Sequence, residues 1–177
     1  PRCALAYIGD GGTSEGAFYE ALNLAGSRTL PVVFVIVNNG WAISVPTKAQ
    51  TAAQTLAQKA VAAGIPGMQV DGNDVFAVRE AVSEALETAR RGAGPALIEA
   101  LTYRLGDHTT ADDASRYRSS EEVKDAWTVE PMIRLRKFLS HAGAWDAAKE
   151  QALLHECAET VDAAVAGYLA RAKPSTD

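Results

Sequence analysis

Two short apolar runs, each breaking off into polar oxygen donors, limit what this chain can become. The first, Cys3 to Ile8, leads into Gly9-Asp10-Gly11-Gly12-Thr13-Ser14-Glu15-Gly16. The second, Val32-Val33-Phe34-Val35-Ile36-Val37, is β-branched and unbroken, and it leads into Asn38-Asn39-Gly40-Trp41. Unbroken runs of this kind suit strands buried on both faces of a parallel sheet. Open parallel sheets bind ligands beyond the carboxyl ends of their strands. A carboxylate and a carboxamide delivered there are hard oxygen donors that suit magnesium better than zinc or copper. Glycines beside the carboxylate let backbone N–H groups approach an anion at the start of the next helix. The expected ligand is therefore a magnesium-bridged diphosphate, although Asp at a strand–helix junction is also an ordinary helix cap.

Two other glycine motifs fail. A Walker A loop needs Lys after its last glycine, and Ala17 follows Gly16. A dinucleotide fingerprint needs a third glycine where Ser14 stands. Gly9-Asp10-Gly11, 26 intervening residues and Asn38-Asn39 instead match the spacing of the thiamine-diphosphate motif.

Four strands are expected, at 4–8, 32–37, 68–70 and 96–101. Thr13 or Ser14 can cap a helix bearing Phe18, Ala21, Leu22 and Ala25, which stops near Gly26 and Pro31. Residues 40–47 read as a loop, 54–63 as an Ala-rich helix closed by Gly64, and Asp71 to Asp74 as a turn and cap. A helix over about 75–91 places Val75, Val78, Val82 and Leu86 on one face. Strand and helix alternate, so the expected fold is α/β, a parallel sheet with helices on both faces. No Met opens the chain and a core-type strand begins almost at once, so neighbouring strands are expected in a preceding segment, the sheet being incomplete at the amino terminus. Residues 102–120 form a long polar loop of the functional kind. Amphipathic helices near 120–127, 130–141 and 145–172 follow as a helical extension that packs on the sheet or on a neighbouring subunit. The portions are thus 1–119, carrying the site, and 120–177.

Composition narrows the function. Seventeen basic against 22 acidic residues give a net charge of −5, which excludes nucleic acid or an anionic membrane as the expected partner. No apolar run reaches the roughly 20 residues of a membrane span. Two cysteines, Cys3 and Cys157, both in apolar patterns, fit reduced thiols in a cytoplasmic protein. His141 and His155 fall on helices and are expected at the surface, whereas His108 lies among loop charges. Asp112-Asp113 reads as a pair that orders the loop against nearby arginines.

Residues 9–46, 55–74 and the loop from Thr102-Tyr103-Arg104 to Tyr117-Arg118-Ser119 resemble the carboxyl-terminal half of the alpha subunit of thiamine-diphosphate-dependent 2-oxo acid dehydrogenases. Leu56 to Gly67 is closest to pyruvate types, while Asn39 to Ser44 is shared with branched-chain types. The resemblance implies the thiamine-diphosphate-binding fold, oxidative decarboxylation of a 2-oxo acid, pyruvate slightly favoured, and acyl transfer to a lipoyl group. It implies thiamine diphosphate and magnesium as cofactors, with Asp10, Asn39 and the Trp41 carbonyl as metal ligands. It sets Gly9, Asp10, Gly11, Gly12, Asn39, Ile43, Arg104 and His108 around the cofactor, with His108 the catalytic residue at the thiazolium. Arg104, Tyr117 and Arg118 would order the loop around the bound cofactor. The implied partners are a beta subunit in an α2β2 assembly, which brings the activating Glu, and a lipoyl-bearing acyltransferase component. Thr109 stands where eukaryotic relatives carry a regulatory serine, so kinase control is not expected. Two alternatives stand beside this reading. One is a haloacid-dehalogenase-type magnesium phosphatase, imitated by Val70-Asp71-Gly72-Asn73-Asp74; the other is a fragment that only binds partners.

Overall fold

The computed structural model describes residues 2–174. Along the chain come β1 (Ala4–Gly9), a 3-10 turn (Gly11–Ser14), α1 (Gly16–Ser27), β2 (Val32–Asn38), β3 (Trp41–Ala42), β4 (Val45–Pro46) and α2 (Thr47–Gln50). A second 3-10 turn (Leu56–Gln58) leads into α3 (Lys59–Ala62), β5 (Gly67–Asp71), α4 (Val75–Arg90) and β6 (Ala96–Leu101). Then follow a 3-10 turn (Ala114–Arg116), α5 (Ser120–Trp127), α6 (Pro131–His141) and α7 (Ala147–Leu169).

The four expected strands form one parallel sheet in the order β1-β2-β6-β5. Its central strands alternate between two cores, as a pleat of period two requires. Phe34, Ile36 and Leu97 face Phe18, Leu22 and Ala25 of α1, with Leu56, Ala57, Ala60 and Ile65 beside them. Val33, Val35 and Ile98 face Ala85 and Ala89 of α4. Burying each large aliphatic side chain here is worth about 1.5–3 kcal/mol. α4 presents its alanines most deeply, with Val82 and Leu86 partly buried and Val75 exposed. Helices thus cover both faces, as expected. Among the described residues β1 pairs only with β2, and Leu5 and Tyr7 are exposed.

Three local expectations change. Neither Thr13 nor Ser14 caps α1, whose N-cap is Glu15 without a side-chain bond. Residues 54–63 make no continuous helix: Thr55 and Gln58 close a capping box on a 3-10 turn, and only one α turn follows. The supposed loop 40–47 holds the antiparallel pair β3–β4. Two compact units emerge, one through Arg134 and one from Leu135. In the second unit, Arg136 and Trp145 converge on Glu150, while Leu153, Leu154, Val161 and Tyr168 of α7 are exposed. Cys157 is exposed too, against the apolar placement expected of it. Among the described residues no helix is long and apolar enough to cross a membrane.

Candidate functional site

Parallel register brings the ends of the strands level. Gly9 lies beside Val37, Val37 beside Ala100, and Asn38 beside Leu101. Asp10 and the Asn38-Asn39 pair therefore leave adjacent strands on the same edge. Asp10 is only 2% exposed, and its carboxylate caps no helix. Its Oδ2 accepts hydrogen bonds from Gln50 Nε2 at 3.0 Å and Thr47 Oγ1 at 3.2 Å. Both donors take the same oxygen, which leaves Oδ1 for another partner.

Asn38 and Asn39 divide the work of the second strand end. Asn38 Nδ2 donates to Glu99 Oε1 at 2.7 Å, and its Oδ1 accepts from Gly40 N and Thr47 Oγ1. Glu99, 1% exposed in β6, also accepts from Ala57 N at 2.8 Å and Gln69 Nε2 at 3.1 Å. Asn39 Oδ1 accepts from Trp41 N at 3.1 Å, a local turn that Gly40 permits with φ +84°. A carboxamide oxygen has two lone pairs, so this bond leaves Asn39 able to ligate a cation.

The glycines have a packing reason beyond access for an anion. A Cβ on Gly11 would stand 2.6 Å from Ala42 Cβ, and one on Gly12 would stand 2.7 Å from Ile8 Cγ1. The first bond into their turn is Thr13 N to Asp10 O, so the Gly11 and Gly12 amides precede its ladder and have no acceptor within it. Thr13 is fully buried; its Oγ1 donates to Asp10 O and, with its carbonyl, accepts from Lys59 Nζ.

Arg104 fastens the polar loop to the β3–β4 hairpin. It donates to Trp41 O at 3.3 Å, Ile43 O at 2.9 Å and Tyr117 OH at 2.6 Å. The Trp41 carbonyl, expected at a metal, is thus already engaged on one side. Ile43 holds φ +56°, strained for a β-branched residue, while presenting its carbonyl to Arg104. Tyr117 OH donates to Asp112 Oδ2 at 2.5 Å, and the same oxygen accepts from His108 N at 2.8 Å. These two bonds, the tyrosine's foremost, hold the Asp112 carboxyl below the usual range. Desolvation, and then the bond to Asp112, raise the Tyr117 phenol. Arg118 donates to the carbonyls of Arg104, Leu105 and Gly106. Asp112 and Asp113 order the segment through hydrogen bonds to a tyrosine and backbone amides, with Arg104 acting on Asp112 through its charge and through Tyr117, and Asp113 caps the 114–116 turn. His108 is anchored by its backbone and exposed at its ring.

An open cleft beside the hairpin is lined by Trp41, Thr47, Tyr103, Tyr117, Arg118 and Glu122. Among the described residues no three of His, Cys, Asp and Glu gather as a metal cluster. The expected donor set holds a single carboxylate beside an amide and a carbonyl, so it is not such a cluster. Asp71, Asn73 and Asp74, the phosphatase-like stretch, are spent otherwise. Arg134 pairs with both aspartates, Asp74 caps α4, and Asn73 accepts from Thr102. No motif marks Thr47, Gln50, Glu99 or Lys59 as part of this site. Glu99 alone announces itself, as a charge inside an apolar strand.

The profile of the family described as "Dehydrogenase E1 component" matches residues 1–176. The chain is 50% identical over 163 residues to "Pyruvate dehydrogenase E1 component subunit alpha" of Staphylococcus aureus strain Mu50, covering 92% of this chain and 44% of that protein. The protein of the same name from Staphylococcus epidermidis strain RP62A is 49% identical over the same shares. The chain therefore spans less than half the length of these relatives. With a family match along nearly its whole length and the parallel strand ends described above, the chain belongs to the dehydrogenase E1 component family.

Proposed function

We propose that this chain supplies the diphosphate and magnesium half of a thiamine-diphosphate-dependent 2-oxo acid dehydrogenase, with pyruvate favoured over branched-chain 2-oxo acids. The observation that supports it most is that Asp10 and Asn39 follow the level ends of adjacent strands, beside the Gly11-Gly12 turn. The residues fit the cofactor. Asp10 has one oxygen steadied by two neutral donors and the other left over, Asn39 Oδ1 and Trp41 O each keep a lone pair, and all are hard donors.

Asp10, Asn39 and the Trp41 carbonyl would hold magnesium, and the Gly11 and Gly12 amides would face the diphosphate, with Gly9 setting the approach. The cofactor, when bound, supplies the electron sink that decarboxylation of a 2-oxo acid requires. Arg104 holds the Trp41 and Ile43 carbonyls in place, which keeps the wall of the site rigid before substrate arrives. His108, exposed at its ring and tethered at its backbone, is the group placed to exchange a proton with substrate. A beta subunit would complete the site in an α2β2 assembly and contribute the activating carboxylate, and a lipoyl-bearing acyltransferase would take the acyl group. Two free thiols accord with a cytoplasmic setting. The phosphatase reading is set aside, because its aspartates are paired or capping and the family match is to E1 components.

The test is steady-state turnover of the full-length alpha subunit assembled with its beta subunit, with lipoamide as acceptor. Pyruvate should give a larger kcat/KM than 3-methyl-2-oxobutanoate, and both should need magnesium and thiamine diphosphate. No turnover of either substrate by an assembly that binds cofactor would leave a partner-binding role instead.

A further inference from the structure

Lys59 lies next to the cofactor site but contributes no ligand to it. It opens α3, is 7% exposed, and forms no ion pair among the described residues. Its ammonium donates to Thr13 O at 2.7 Å and to Thr13 Oγ1 at 3.0 Å, and lies 5.1 Å from the Tyr19 ring centroid. Lysine is almost never buried this deeply unless paired, because stripping water from an ammonium is costly. A carbonyl, a hydroxyl and an aromatic face steady the cation without neutralising it. Thr13, the residue it grips, closes the bond that starts the Gly11–Ser14 turn and donates its hydroxyl proton to Asp10 O.

We propose that Lys59 is a positioning residue with an electrostatic role, a fixed and buried counter-charge set beneath the Gly11–Ser14 turn for the diphosphate bound above it. This rests on the cofactor reading under Proposed function. The diphosphate brings more negative charge than one magnesium ion offsets, and the Asp10 carboxylate adds to it. A cation fixed behind the turn balances that excess without touching the ligand, and burial keeps it from being screened by salt. The cost of its desolvation is borne before the cofactor arrives, as preorganised sites require.

The charge can be removed with little change of shape by Lys59→Met, in the full-length subunit assembled with its beta partner. Affinity for thiamine diphosphate at saturating magnesium should fall about tenfold or more. Affinity for thiamine, which has no phosphate, should stay within about twofold, and the contrast should persist at high salt. Without cofactor the variant should melt close to wild type, the relief of a buried charge offsetting the two bonds lost to Thr13. The melting shift on adding cofactor should be smaller. Lys59→Gln gives the same readings should methionine not be accommodated. Equal losses for both ligands, or a loss for neither, would overturn the proposal, since a merely structural role does not discriminate by phosphate. Wild type that binds neither ligand would instead strike the cofactor reading and this one with it.

Discussion

Glu99 and Asp10 are carboxylates buried almost completely, and neither has an arginine or lysine as a hydrogen-bond partner. Each is held by neutral donors, which offset the cost of burying so polar a group. For Glu99 those donors come from three separate elements: Asn38 at the end of β2, Ala57 in the 56–58 turn, and Gln69 in β5. Glu99→Leu would strand the buried Ala57 amide and the half-buried Asn38 carboxamide, whereas the exposed Gln69 can turn to water. Each unsatisfied buried donor costs about 1–3 kcal/mol, so urea denaturation should report a loss of at least about 2 kcal/mol. An unchanged midpoint would mean that water replaces the carboxylate. Asp10 and Asn39 were legible in the sequence because motif and strand pattern converged on them. Thr47 and Gln50 were not, since they reach Asp10 across 37 and 40 residues through a hairpin that no periodicity reveals.

Elements fail to be legible where tertiary contacts override local preference. The Ala-rich stretch 54–63 has helix propensity, yet the Ala57 amide goes to Glu99 and Gly67 passes so close that a Cβ there would stand 2.5 Å from Ala57 O. The close passage of β5 goes with a 3-10 turn where propensity favours α-helix. The β3–β4 hairpin escaped because two-residue strands leave no alternation to read and Ile43 adopts a conformation that its side chain disfavours. The loop 102–119 is tied by its own side chains, through Arg104, Tyr117 and Asp112. Tyr117→Phe removes both of the phenol's bonds. Trypsin should then cut faster at Arg104, Arg116 or Arg118, and an unchanged rate would show that the tie is dispensable.

In the second unit, Arg136 first and Trp145 next hold Glu150 at a pKa of about 2, down from 4.5. A depressed carboxylate stabilises the fold fully above its unfolded pKa and loses that contribution as pH falls through its folded one. Helical circular dichroism should therefore decline between pH 4.5 and about 2. Glu150→Gln should flatten that limb. A limb of the same depth in the variant would assign it to other carboxylates.

At the scale of the molecule, the order β1-β2-β6-β5 was only partly readable. The pairing of β1 with β2 and of β5 with β6 follows from their connecting helices. That β6 would enter beside β2, and so bring Glu99 under Asn38, does not follow from any local signal. The long-range pairing is what joins the two strand ends into one site. The chain spans 44% of its relatives' length, and Tyr7 of β1 is 68% exposed, so binding is to be measured on the full-length alpha subunit with its beta partner. Asp10 and Asn39 are proposed to hold the metal through which the diphosphate binds. Calorimetric titration of thiamine diphosphate in the presence of magnesium tests it most directly. Wild type should bind, and Asp10→Ala and Asn39→Ala should each weaken binding by at least about 10- to 100-fold, the loss typical of disturbing even the partners of metal ligands. Both variants binding as tightly as wild type would contradict the account.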